Sequence, residues 1–408
     1  MPKIRDKNVF PIVATLVSSL VLVLWSVYFL VQRRFGSSIW PRLLPGFDAT
    51  EAGVMGHVQG PVTGVIATCL GIMTVLAVAV LTVVYFRSRL RPALLERVFS
   101  LAASFAVTWI LLEGMVTRSY EGTWYNIQTM MTHPTTVPVF GQRLLLVWPA
   151  MLLKRLMPDL PYLHAFLAVQ ALALAIAVLV TGEWSALFIG KRLKSLGQIL
   201  LAVFLLPTFT YYTAHDVGVV IINTLCLLFL YQRRYWPFGL VFCLGILNHP
   251  NVLLMAPTAA AAMWTREKRS TIAWLVSLSC TAYLIVRIVL NIELPLPRSV
   301  DLRLWWNMRA LAELSPLLVL GQLSLLPWYV CGLAALPKAD AFLKAAAVLL
   351  PIQYLVFGFY GQLYEVRMFD GFIPVLIGIF LCWLRDRLPV VSNPAVLTPE
   401  PAGTPLSV

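Results

Sequence analysis

The chain has 408 residues, enough for two or three soluble domains, yet 60% of them are hydrophobic and only 12% charged, against about 45–50% and about 25% in soluble globular proteins. That composition excludes a soluble multidomain protein, a disordered chain, a collagen-like or coiled-coil rod and a secreted disulfide scaffold, and it reads as a membrane protein. The net charge of +13, from 31 Lys and Arg against 18 Asp and Glu, would suggest nucleic acid in a soluble protein; here it reads as basic residues placed at cytoplasmic helix ends, and no nucleic-acid partner is expected.

The first element follows Lys3, Arg5 and Lys7 and runs from Phe10 to Val31. This is too long for the apolar region of a cleaved signal peptide, and no small-x-small site follows, so it reads as the first membrane helix. A helix needs about 20 apolar residues to cross a hydrocarbon core of ~30 Å. Cutting the chain at charged and turn-rich breaks predicts twelve apolar segments: 10–31, 62–87, 97–117, 160–182, 197–214, 216–231, 235–249, 251–264, 270–290, 312–333, 341–360 and 367–385. With the N-terminus inside, alternate loops carry the lysines: seven of eight fall on the cytoplasmic side, and the exception, Lys154, lies in an amphipathic stretch ending near Met157 that reads as an interfacial helix. The C-terminus is then also cytoplasmic, and 388–408 reads as a disordered Pro-rich tail. Residues 1–96 form an N-terminal transmembrane hairpin with the first outer loop, and 97–387 form the core.

Three consecutive segments, 216–231, 235–249 and 251–264, reach only about 21–24 Å at 1.5 Å per residue. Short helices of this kind belong inside a bundle beside a polar cavity, where their ends find partners that lipid does not offer. His215, Asp216, His249 and Asn251 mark their outer ends. The other histidines, His57, His133 and His164, also map to the outer side, as do Asp48, Glu51, Glu121, Glu365 and Asp370. Lysine excess inside leaves other polar residues outside as a matter of course, so this asymmetry is read both as topology and as a candidate outward-facing site.

Two outer loops are long. The loop over 32–61 holds Asp48, Glu51 and His57; the loop over 118–142 reads RSYEGTWYNIQTMMTHP from Arg118 and is followed by FGQRLLLVWP. A third outer string, GQLYEVRMFDGFIP over 361–374, places Glu365 and Arg367 at the mouth of the last helix. In an extended stretch, alternate residues share a face, so the two are expected to point together, either into a cavity or into a local ion pair at a turn. Arginine offers a planar fork suited to phosphate or carboxylate. Cys69, Cys226, Cys243, Cys280, Cys331 and Cys382 stand singly in apolar runs without a C-x-x-C, which argues against a disulfide framework or a thiolate metal site.

The order of Glu121, Gly122 and Tyr125, then Gly141, Arg143 and Leu145, then a histidine–acid pair at an outer helix end, then Glu365, Arg367, Phe369 and Pro374 resembles the bacterial C-type (GT-C) integral-membrane glycosyltransferases over roughly 97–385. The resemblance implies an all-α polytopic protein of about twelve transmembrane helices, GT-C-like, with short broken helices around an outer-facing cavity. It implies an enzyme of the bacterial inner membrane that takes a sugar from a polyprenyl-phosphate carrier and passes it, on the extracytoplasmic face, to a lipid, glycan or protein acceptor. The family places its acidic catalytic residue in the first outer loop, where this chain has Asp48 and Glu51, whereas the more family-like string holds Glu121. All three are candidate bases.

Transfer from a glycosyl phosphate requires a base for the acceptor proton and donors for the leaving phosphate. Glu121 in an aromatic loop suits the first task; Arg143 and Arg367, assisted by His215 or His249, suit the second. Tyr120, Trp124 and Tyr125 offer stacking faces for a sugar, although interfacial aromatics also serve as belt anchors. No cofactor is expected; a divalent metal between His215, Asp216 and Glu121 is an option, but no ligand spacing of the H-E-x-x-H kind supports it. The competing readings are a flippase or transporter for a polar lipid or oligosaccharide, a membrane acyltransferase using His164 or His249, and a non-catalytic scaffold subunit.

Overall fold

The computed structural model describes residues 143–208, 216–293, 303–361, 363 and 365–387, together with residues 104, 107, 108, 111, 129, 131 and 132. The expected segments 10–31 and 62–87 lie outside these, and of 97–117 only Ser104, Val107, Thr108 and Leu111 are described, all helical. Among the described residues the protein is built from helices, with no strand.

Helix α1 (Leu144–Leu156) leads through a turn to α2 (Tyr162–Ile189), α3 (Lys194–Leu205), α4 (Asp216–Tyr231), α5 (Tyr235–Asn248), α6 (Met255–Met263) and α7 (Arg269–Glu293). Then come α8 (Leu304–Ala312), α9 (Pro316–Ser324), α10 (Leu326–Ala335), α11 (Ala341–Ala346), α12 (Leu349–Tyr360) and α13 (Ile373–Arg385). Short 3₁₀ turns join them, of which Leu206–Thr208, Pro250–Leu254 and Val366–Phe372 matter for the site. Among the described residues, four stretches are long and apolar enough to cross a membrane: His164–Ile189, Arg269–Glu293, Ala341–Tyr360 and Val366–Arg385.

These four do different jobs. The apolar window of Val366–Arg385 is 83% buried and that of Arg269–Glu293 only 17%, so the last helix is central and α7 peripheral. α2 is the second central element, packed against α1, α3, α4 and α13. It is apolar on all sides, as a helix with protein neighbours in an apolar solvent should be, and it ends at Gly190, whose φ of +79° suits a residue without a Cβ. The Trp184 indole on α2 donates to the Pro374 carbonyl of α13 at 2.8 Å, giving a buried N–H its acceptor. The α7 side chains Leu284, Ile285, Ile288 and Val289 are all more than half exposed. A row of large aliphatics of this kind fits lipid rather than water.

Of the short segments, α4 is buried along most of its length, whereas α5 keeps an exposed face with Trp236, Leu240 and Leu244. α4 packs between α2 and α5, and α5 is covered by α1 and α7. The expected single span over 312–333 is corrected: two helices, α9 and α10, meet at Leu325 (φ −88°, ψ 0°). Pro327 at the start of α10 has no N–H to continue a helix from α9, and its ring disfavours helical backbone before it. The stretch over 341–360 is likewise divided, at Ala347–Val348, between α11 and α12.

Because successive helices of the core run in alternate directions, the basic loops gather at one end. There Arg233 pairs with Glu267 (3.5 Å), Lys194 pairs with Glu183 (3.0 Å), and the Arg266 guanidinium lies over the rings of Tyr231 and Phe342. The starts of α4 and α13 and the end of α5 lie at the other end.

Candidate functional site

Glu365 and Arg367 do stand side by side, though not by strand alternation. Residues Val366–Phe372 form a 3₁₀ turn that runs into α13, and within it Arg367 Nη2 donates to Glu365 Oε2 at 2.7 Å. The local ion pair is therefore present, and the extended stretch expected for 361–374 is corrected to a helical turn. Arg367 nonetheless reaches further: its Nη1 lies 3.5 Å from Oδ2 of Asp216, the first residue of α4. Both residues are buried. A carboxylate at a helix start also faces the free N–H groups there.

Arg143, the residue before α1, lies in the electrostatic field of Arg367, Asp216 and Glu365. Desolvation, and then the Arg367 charge, push its pKa down to about 9, so it stays cationic at neutral pH. His249 ends α5 in extended backbone (φ −157°, ψ 136°), and its Nδ1 accepts from the Asn251 backbone N–H at 3.1 Å. A nitrogen that accepts carries no proton, which assigns the ring hydrogen to Nε2. Asn251 thus enters the site through its main chain, as the donor that orients His249. Arg143 and Arg367 both act electrostatically on His249.

Three further residues belong here. Arg287, in the half of α7 away from the basic end, acts on Arg143 and His249. Asp370, three residues beyond Arg367, is completely buried, in the field of Asp216 and Arg367. The donor beside its carboxylate is the Thr208 hydroxyl, which also lies 2.8 Å from the Leu205 carbonyl. Asn307 of α8 holds the approach to Glu365. Its Nδ2 donates to the carbonyls of Gly358 and Gly361, both at 2.9 Å, and its Oδ1 accepts from the Leu363 N–H at 3.1 Å.

The far side of the turn is fixed by Asn223 of α4, whose Nδ2 donates to the Gly371 carbonyl at 3.0 Å. Gly371 is required for this approach, since a Cβ there would meet Asn223 Nδ2 at 2.4 Å and Gln353 Nε2 at 2.9 Å.

The structure thus brings together Arg143, Asp216, His249, Glu365 and Arg367 from four separate elements: the starts of α1 and α4, the end of α5 and the turn before α13. Asp48, Glu51, Glu121, Tyr125 and His215 lie outside the described residues. Arg287 was legible in the sequence as an ionisable residue inside an apolar span. Asp370 was visible as an outer acid but not as a buried one, and nothing in the pattern around Asn307 announced its role. Among the described residues no three His, Cys, Asp or Glu side chains are placed to hold a metal ion. Asp216 and Asp370 are the carboxylates best placed to contact a cation, and the Arg367 guanidinium already serves as one beside them.

Chemically, the site offers fixed guanidinium donors, an imidazole of defined tautomer and desolvated carboxylates at one end of an apolar bundle. No family model, no curated protein and no solved structure matches the chain.

Proposed function

We propose that the protein is a membrane glycosyltransferase that moves a sugar from a polyprenyl-phosphate carrier to a lipid, glycan or protein acceptor. The supporting observation is the pairing of Arg367 with Asp216 and Glu365 beside Arg143, in a desolvated site at the mouth of the central helix. Asp216 and Glu365 hold Arg367 by its two terminal nitrogens, and a phosphate entering beside Arg143 would meet guanidinium charge in a low local dielectric, which strengthens such contacts. In the reaction, an acceptor hydroxyl attacks the anomeric carbon and the bond from that carbon to the phosphate oxygen breaks. The electron pair leaves on polyprenyl phosphate, and the acceptor proton passes to a carboxylate, for which Glu121, Asp48 and Glu51 are the candidates. The arrangement is GT-C-like, with about twelve spans, both termini cytoplasmic and the site on the extracytoplasmic face of the inner membrane.

The test is release of polyprenyl phosphate from a labelled polyprenyl-phosphate sugar by the purified full chain in lipid, for the parent and for Glu121→Gln, Asp48→Asn and Glu51→Gln. The parent releases it, and loss of the base lowers the rate about 10²–10⁴-fold. A flippase for a polar lipid is the second reading, favoured by Asp370, a fully buried carboxylate inside a membrane-spanning segment. Carrier movement across liposomes without sugar release would select it.

A further inference from the structure

Helix α8 meets the rest of the protein along one narrow stripe. Of its residues only Asn307 and Ala310 are buried, and a step of three puts them on one face. The Asn307 amide binds the Gly358 and Gly361 carbonyls and the Leu363 N–H, and the Arg303 N–H just before α8 donates to the Phe359 carbonyl at 2.8 Å. These bonds fix α8 at the end of α12 from which the chain enters the turn of Glu365 and Arg367.

The remainder of α8 divides into two faces. Trp305, Met308 and Ala312 follow at steps of three and four and are all exposed, and Leu311 extends their face. Arg309 and Glu313 share the other face and pair at 2.7 Å. Trp305, 82% exposed, is four residues from Arg309 and so borders both. The tip beyond α8 is formed by Leu314, whose φ of +48° a glycine would adopt without strain. This leucine is 70% exposed, so its side chain offsets that strain only in apolar surroundings. α8 also begins where a lipid-facing row ends: Leu355 and Phe359, four apart on α12, are exposed within a stretch apolar enough to cross a membrane.

We propose that α8 is an interfacial helix that binds the phospholipids of the leaflet at the site end. Met308, Leu311, Ala312 and Leu314 lie among the upper acyl chains, Arg309 and Glu313 face water, and Trp305 stands at the boundary, as amphipathic aromatics do. A helix with an apolar and a charged face side by side needs two solvents along its length. Water alone would leave Trp305, Met308 and Leu311 bare, and hydrocarbon alone would strand the Arg309–Glu313 charges. Since Asn307 ties α8 to the chain just before Glu365, the Glu365–Arg367 turn is held near headgroup level, where the phosphate of a lipid reaches it without leaving the membrane. The inference rests on the chain's being a membrane protein and not on sugar transfer.

The experiment is depth-dependent quenching on the full chain in phosphatidylcholine nanodiscs. In a background lacking native cysteines, Met308→Cys, Ala312→Cys, Arg309→Cys, Glu313→Cys and Leu278→Cys each carry one small fluorophore. Leu278 is an exposed residue of α7, the tenth of that helix, about 15 Å along it and so near the middle of a ~30 Å core. The quenchers are phosphatidylcholine brominated close to the glycerol, phosphatidylcholine brominated near the chain ends, and aqueous iodide. The labels at 308 and 312 are expected to lose fluorescence to the shallow bromines, those at 309 and 313 to iodide, and that at 278 to the deep bromines. Two positions on each face keep the comparison if one variant does not fold.

Iodide quenching of all four α8 labels alike would place α8 in water and overturn the proposal. Quenching of all four by the deep bromines would overturn it in the other direction, making α8 a half-helix within the hydrocarbon. Labels at 308 and 312 that neither lipid nor iodide reaches would mean that a protein chain covers this face, which also overturns it. The measurement needs no catalysis, so it stands or falls separately from the release of polyprenyl phosphate that tests the glycosyltransferase reading.

Discussion

Arg367 Nη1 stands 3.5 Å from Asp216 Oδ2, and this contact joins the start of α4 to the turn that opens the last helix, with the arginine 9% and the aspartate 4% exposed. The pair is a buried one. Its two members therefore depend on each other more than exposed ions do, because removing either leaves a charge without its counter-ion in a poorly solvated place.

Arg367→Ala is accordingly expected to cost about 3–5 kcal/mol, the range for breaking a buried pair, rather than the ~0–1 kcal/mol of an exposed pair at a turn. Asp216→Asn in the Arg367→Ala background recovers part of that loss, since no buried charge is then abandoned. Melting of the two single variants and the double variant measures the coupling. Strict additivity would mean the pair is solvated. Arg367→Lys separates the fork from the charge: the lysine keeps the charge, and binding of a polyprenyl phosphate is nonetheless lost.

Gly371→Ala tests the approach of the turn to α4. The new methyl carbon meets Asn223 Nδ2 at 2.4 Å, and overpacking of this kind costs about 1–3 kcal/mol. Asn223→Ala removes the closer of the two clashes together with the hydrogen bond to the Gly371 carbonyl, and leaves the one with Gln353 Nε2 at 2.9 Å. Thermal scans are expected to show the double variant losing less than the sum of the two single losses, so strict additivity would contradict the described contact.

Asp370→Asn is expected to raise stability by about 1 kcal/mol, because a neutral amide replaces a completely buried carboxylate. Activity or carrier movement is expected to fall in the same variant. A residue that costs stability and contributes function is characteristic of a working site. A stabilised variant with unaltered activity would mark Asp370 as a structural oddity instead.

Sidedness follows from the two ends of the bundle. Asp159, between α1 and α2, is exposed at the site end, and Lys268, before α7, is exposed at the basic end. In a background lacking native cysteines, Asp159→Cys is expected to react with an impermeant thiol reagent from outside the cell and Lys268→Cys only after permeabilisation. The reverse pattern would place Arg143, Asp216 and Arg367 on the cytoplasmic side and remove an extracytoplasmic acceptor.

Sequence alone determined the class of solvent this chain is built for and where its charges gather. Apolar runs bounded by Lys and Arg follow from the cost of burying backbone and charge in lipid, and that cost is local to each segment. For the same reason the short helices α4 and α5, and the polar residues Asp216 and His249 at their ends, were visible before any fold was known. Glu365 and Arg367 were also legible as neighbours, though by the wrong geometry: a 3₁₀ turn and an extended strand both bring residues two apart close enough to pair. The tertiary structure decided which charges meet. Nothing in the spacing of Arg143, Asp216 and Arg367 says that separate helices deliver them to one place, or that Asp370 is completely buried while Glu365 is not. Nor does the pattern around Asn307 show that one amide would hold the turn before Glu365. Those outcomes depend on which faces of α2, α4, α7 and α13 pack inward. Side-chain volume and close backbone approach at residues such as Gly371 set that choice, and these act between segments far apart in the chain.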